Sequence, residues 1–147
     1  MQLQPLYRAT FTTPERWAVE VAGTHGTEVQ DFLIAEGHIE GRLSARLRGA
    51  NYPRRRADGT LLPDFRGALD TDDGATILFS WHGYARPGAA DRKEIVGSIT
   101  HLTGNERYAW LNNTVAPWRV RSGLERVKTV SRSSLKSPSS SGSHWTR

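Results

Sequence analysis

The sequence predicts an all-β fold, a single antiparallel β-barrel of roughly eight or more strands followed by a disordered tail. Three observations carry this expectation. The stretch Ala57 to Ala85 reads ADGTLLPDFRGALDTDDGATILFSWHGYA, two strand-like runs joined across Thr71-Asp72-Asp73-Gly74. Glycine accepts positive φ without steric strain and aspartate bonds its own backbone, so an Asp-Gly step between apolar alternations is a hairpin signal. Turn signals then recur about every ten residues along the chain. No long stretch carries the 3.6-residue apolar period of an amphipathic helix.

Taken in order, Leu3 to Thr12 begins the sheet, with Pro5 tolerated at a strand start. Arg16 to Ala22 alternates Trp17, Val19 and Val21 against Ala18, Glu20 and Ala22, the pattern of a second strand. Between them Thr13-Pro14-Glu15 offers a helix start as the alternative, with Thr13 as cap. Glu28 to Ala35 fits a strand or a short helix equally. Arg42 to Arg48 sets Leu43, Ala45 and Leu47 against Ser44 and three arginines, and Ala50 to Asp58, with Pro53 and Arg54-Arg55-Arg56, is loop chemistry: a solvated run, with one arginine folded over the barrel mouth to hold a carboxylate ligand as the alternative.

In the central hairpin Phe65, Gly67, Leu69 and Thr71 oppose Asp64, Arg66, Ala68 and Asp70, while Ile77, Phe79 and Trp81 oppose Leu78, Ser80, His82 and Tyr84. Large apolar groups on both faces of the return strand suggest a barrel covered on its outside, or a dimer interface. Arg86 to Arg92 is a polar loop, Glu94 to Thr103 a strand, Tyr108 to Val115 an aromatic-rich run, and Trp118 to Val130 a last hairpin across Ser122-Gly123. From Ser131 onward the serine-rich composition lacks the apolar surface to offset ordering entropy. The domain expectation is therefore a barrel over residues 1–130 and a disordered basic tail over 131–147.

Composition bounds the function. The 147 residues contain no cysteine, which removes disulfides, thiolate metal sites and a cysteine nucleophile, and fits a cytoplasmic setting. No apolar run is long enough for a membrane span. The net charge of +5 is concentrated after Trp118, where five arginines and two lysines face only Glu125. A near-neutral body with a basic tail is not the footprint of a specific nucleic-acid domain.

Asn51-Tyr52-Pro53, Ala57-Asp58-Gly59-Thr60, Pro63-Asp64, Gly67, Thr71-Asp72-Asp73-Gly74-Ala75 and Tyr108-Ala109-Trp110-Leu111-Asn112 together resemble the family called domain of unknown function 3237. The resemblance spans about Leu3 to Val130 and implies a small antiparallel barrel. It implies no established reaction, so no catalytic residue is carried over. The chain departs from the commoner pattern at Asn51-Tyr52, where many relatives have an acidic residue followed by Trp.

The candidate chemistry rests on residue type and strand face. His82 or His101 would serve as a general base at neutral pH, oriented by Asp64 or Asp70, with Arg66 or Tyr84 stabilising developing negative charge. Asn51, Tyr52, Trp81 and Trp110 are further candidates for ligand contact. The plainer alternatives are histidines on a wet sheet face and a solvated ion pair at Arg66. The spacing of the five histidines does not suggest a metal site, and no phosphate loop or dinucleotide fingerprint is present, so no cofactor is expected. The expected activity is binding of an apolar or aromatic carbonyl-type metabolite, with cofactor-free isomerase, cyclase or lyase chemistry. The alternative is a non-catalytic ligand-binding or homodimeric interaction module.

Overall fold

Alternation of apolar and polar residues gives each strand one side to bury, and the chain satisfies all of them by rolling a single sheet into a ring. The computed structural model describes residues 3–86, 94–121 and 126–132. The strands are β1 (Leu3–Gly23), β2 (Gly26–Gly41), β3 (Ala45–Asn51), β4 (Arg54–Arg55), β5 (Leu61–Leu62), β6 (Asp64–Thr71), β7 (Thr76–Arg86), β8 (Glu94–Leu102), β9 (Ala116–Arg121) and β10 (Arg126–Arg132). The ring runs β1-β2-β3-β6-β7-β8-β9-β10, every neighbour antiparallel. It closes where β10 returns to β1, with Leu3 opposite Arg132 and Ala9 opposite Val127. The short β4 and β5 pair with each other and bridge β2 to β7 at one end.

Residues 87–93, on which most of the expected polar loop falls, lie outside the described residues, as do 122–125 and 133–147, which hold the expected last turn and most of the expected tail.

The central hairpin behaves as its composition requires. Phe65 stands opposite Trp81, Gly67 opposite Phe79 and Leu69 opposite Ile77, and the side chains of this set point inward. At its turn Gly74 takes φ 86°, a left-handed conformation that glycine alone adopts without strain. The turn is held by hydrogen bonds from Thr71 N to Ala75 O and from Gly74 N to Thr71 O. The outer face of β7 is not covered: Leu78 is 52% exposed and Tyr84 37%, which corrects the expectation of a strand buried on both sides.

Two stretches differ from their sequence patterns. The expected first and second strands are one continuous strand, β1, and no helix starts at Thr13. Pairing slips by one residue between Thr12 and Glu15, so a bulge containing Pro14, which has no N–H to donate, absorbs the extra residue. A one-residue slip exchanges the faces. Tyr7, Ala9 and Phe11 point inward before the bulge, whereas Arg16 rather than Trp17 turns toward the barrel after it. The aromatic-rich run after β8 is a 3-10 segment, Glu106–Asn113, whose Leu111 is fully buried in the core.

That segment stops one end of the barrel. Asp73 of the hairpin turn receives the Tyr108 hydroxyl at 3.0 Å and Arg107 Nη1 at 2.7 Å, which tie the segment to the β6–β7 turn. Towards this end the interior is filled by Tyr7, Phe11, Leu47, Phe65 and Phe79, leaving a void of only about 20 Å³. No helix among the described residues is long and apolar enough to cross a membrane.

Candidate functional site at the barrel mouth

The opposite end of the barrel is open. A cavity of about 410 Å³ is lined there by residues of β1, β2, β7, β8 and β9 and by the segment from Asn51 to Pro63. That volume lies within the usual range for small-molecule sites. Leu33, Leu61, Ile95, Trp81 and Trp118 supply apolar walls, and Arg16, Asp31, Asn51 and Arg55 supply polar atoms.

Asp31 is the buried charge of this set, with its side chain 6% exposed. Its position follows from the inward parity of β2, where Asp31 continues the row of Leu33, Ala35 and Ile39. The Asp31 N–H donates to Pro53 O at 3.0 Å, and the neighbouring Gln30 side-chain amide donates to Pro53 O and Tyr52 O, so β2 and the mouth segment are tied together beside the carboxylate. A buried carboxylate needs a partner. Arg16 supplies it, with Nε and Nη2 each 2.8 Å from Oδ1. The β1 bulge aims Arg16 at this place.

Arg54 and Arg55 show how a run of like charges divides on a strand. Arg54 points outward and pairs with Glu28, while Arg55 lines the cavity and has no carboxylate partner among the described residues. Trp81 is 3% exposed, and its indole Nε1 has no hydrogen-bond partner among them. The ring lies over Gly97, where a Cβ would stand only 2.9 Å from Nε1. Asn51 lines the cavity and accepts from the Asp64 backbone N–H at 3.3 Å.

Most of the polar residues singled out in the sequence lie elsewhere. Asp64, Arg66, Asp70, His82 and Tyr84 are on the outer surface, because the hairpin turns its apolar set inward. His82 Nδ1 is 3.6 Å from Asp64 Oδ1 and Nε2 is 3.1 Å from Ser80 Oγ, with Arg66 Nε 3.0 Å from the same carboxylate. Asp70 pairs with Arg48, whose hydrogen bond holds its carboxyl below the usual range. Tyr84 lies beside Arg86, Tyr52 is exposed against Phe32, and Trp110 carries the Arg42 guanidinium over its ring at 4.6 Å.

His101 does point inward, yet it lies in the packed part of the barrel and does not line the mouth. Its Nε2 is 2.7 Å from the Tyr7 hydroxyl, and burial pushes its pKa down to about 4 while raising that of Tyr7. The two histidines are therefore on opposite faces of the sheet. Of the sequence candidates Asn51 and Trp81 reach the cavity, as does Arg55 of the arginine run, whereas sequence reasoning missed Arg16 and Asp31 there. The one available signal was Pro14, a residue that marks bulges within strands.

The fold has relatives of known structure. A β-barrel-like protein from Acinetobacter baumannii is 25% identical, with 88% of this chain and 93% of that one covered at a TM-score of 0.72. A protein of unknown function from Clostridium acetobutylicum is 19% identical, with 90% and 100% covered at a TM-score of 0.77. An enzyme from Penicillium herquei is 22% identical, with 88% and 92% covered at a TM-score of 0.69. Among curated proteins none matches. The family model described as "Protein of unknown function (DUF3237)" matches residues 1–117, and the chain belongs to that family.

Proposed function

We propose that the barrel mouth binds an apolar or aromatic carbonyl-type metabolite and that the protein acts on it without a cofactor, as an isomerase, cyclase or lyase. The carrying observation is the 410 Å³ cavity, in which aromatic and aliphatic walls surround a small convergent set of polar groups. The Trp81 ring offers an aromatic wall, and Arg55 offers a charge that no carboxylate occupies among the described residues. The Penicillium herquei neighbour is an enzyme, but at 22% identity that likeness extends to the fold alone. Titration of the 15N-labelled protein with 2-tetralone, a bicyclic aromatic ketone, tests the site. The Trp81 indole resonance is expected to shift, and Leu33→Trp, which fills the mouth, is expected to abolish the shift. A full panel of aromatic ketones and phenols that leaves the Trp81 resonance in place would sink the reading.

A second reading, association with another copy of the chain, is favoured by the hairpin arm that β1 and β2 extend beyond the ring. Trp17, Val19 and Val21 on its outer face are each more than half exposed. Beyond Ala9 no strand among the described residues pairs with the other edge of β1. Such an edge is a template for a further strand. An antiparallel copy centred on Ala18 sets Trp17 opposite Val19, so apolar groups meet. Sedimentation velocity is expected to show a dimer that Val19→Lys converts to monomer. A wild-type chain that sediments as a monomer at all concentrations rules this association out.

A further inference from the structure

We propose that Asp31 is the proton-transferring group of the mouth, with Arg16 as its positioning residue and Arg55 as the group that meets the developing negative charge. The inference rests on the small-molecule reading above and names the class of substrate: a compound with a C–H acidified by an adjacent carbonyl, or its enol or phenol counterpart.

Three features of the carboxylate support the role. It is the buried acidic side chain in the cavity wall. Both Arg16 contacts fall on Oδ1, and no hydrogen bond to Oδ2 is present among the described residues, so one oxygen is anchored and the other is available. Its strand is tied to the mouth segment through Asp31 N and the Gln30 amide, which holds the group still. A base held within a walled cavity needs little reorganisation when a substrate arrives.

The competing polar set on the outer face, Ser80, His82 and Asp64, has no such setting. Its His82 and Asp64 side chains are 55% and 37% exposed, and Arg66 already occupies the carboxylate. Water competes for each of its hydrogen bonds.

The step balances without any co-reactant. Asp31 Oδ2 takes the proton from the carbon next to the carbonyl, and the C–H electron pair moves onto the carbonyl oxygen to give an enolate. Arg55, which lines the same cavity, supplies the positive charge that stabilises the enolate oxygen. Oδ2, open to the solvent of the mouth, trades that proton with water and returns one to the original carbon, which gives hydrogen exchange, or to a conjugated carbon on the same face, which gives double-bond isomerisation.

Exchange of the α-hydrogens of 2-tetralone in D2O, followed by NMR alongside its binding, is the test. The wild-type protein is expected to bind the ketone and speed exchange, and Asp31→Asn to keep binding while losing at least about a hundredfold in exchange rate. His82→Gln is expected to match wild type. Binding without faster exchange, or Asp31→Asn exchanging at the wild-type rate, overturns the role of Asp31 and leaves the binding site standing. Absence of binding overturns both. Arg16 is 58% exposed, so its replacement provides a variant that keeps the fold should Asp31→Asn not fold. Arg16→Gln is expected to lower kcat for exchange by about ten- to a hundredfold at unchanged KM, with partial rescue in Arg16→Lys. An unchanged kcat in Arg16→Gln refutes the proposal.

Discussion

His101 and Tyr7 show at the level of single residues what barrel closure does to a polar pair. The imidazole is 4% exposed and its Nδ1 has no partner among the described residues, while Nε2 meets the Tyr7 hydroxyl. Burial disfavours the charged imidazolium, hence the pKa of about 4 against 6.5 for a free side chain. Between these values the unfolded chain binds the proton and the native chain does not. This group's contribution is therefore complete above about pH 7, declines as pH falls through 6.5, and levels off below about 4, a loss of at most about 3 kcal/mol. Urea denaturation from pH 7.5 to 4 is expected to show the decline, with a shallower slope in His101→Gln. Equal slopes would place the acid sensitivity elsewhere. Tyr7 works in the other direction: its raised pKa favours the neutral phenol in the native state, so its contribution is present below pH 10 and lost above it. Tyr7→Phe leaves both imidazole nitrogens without a partner among the described residues and is expected to destabilise by about 1–3 kcal/mol.

Between strands, close approach of backbones decides where bulky side chains fit. Gly97 on β8 pairs with Gly83 on β7, and both lie under the Trp81 indole. A Cβ at Gly97 would overlap the His82 carbonyl oxygen as well as the ring. A carbonyl in a paired strand has little room to move, so Gly97→Ala is expected to destabilise by about 1–3 kcal/mol. It should also displace Trp81 and weaken ligand binding at the mouth. Thermal melting with the 2-tetralone titration checks both, and a variant with wild-type melting and affinity would show that the sheet yields. The β1 bulge is the other deciding feature at this scale. It leaves Trp17 outside on the arm and puts Arg16 beside Asp31, an outcome opposite to the simple pairing of tryptophan with core.

For the whole molecule, closure of β10 on β1 removes most of the free sheet edge and completes the wall around the core. Removal of residues 126–147 deletes β10 and exposes the facing edges of β1 and β9. That truncated chain is expected to lose cooperative thermal unfolding, while truncation after Arg132 retains all eight ring strands and is expected to melt cooperatively. Circular dichroism with calorimetry on the two chains separates these outcomes, and a cooperative transition after the longer deletion would mean that seven strands suffice. The two ends of the barrel also have unlike tasks. Leu111 and the Asp73 contacts close one, and the mouth segment leaves the other open to a ligand.

The barrel itself was legible from local chemistry. The Asp73-Gly74 turn, the period-two alternation and the lack of helical periodicity all depend on neighbours in the chain, and they placed Phe65, Phe79 and Trp81 together on one side of the hairpin. Which side faced inward was not a local property, since either parity satisfies a single strand. Closure of the ring chose the apolar side, because burying Asp64, Asp70 and His82 instead would have required charge partners for each. The mouth was set at the same level. Asp31 and Arg16 lie in unremarkable surroundings, Arg55 lies far from both in a conspicuous arginine run, and only the bulge at Pro14, the inward parity of β2 and the fold of the mouth segment bring the three to one cavity.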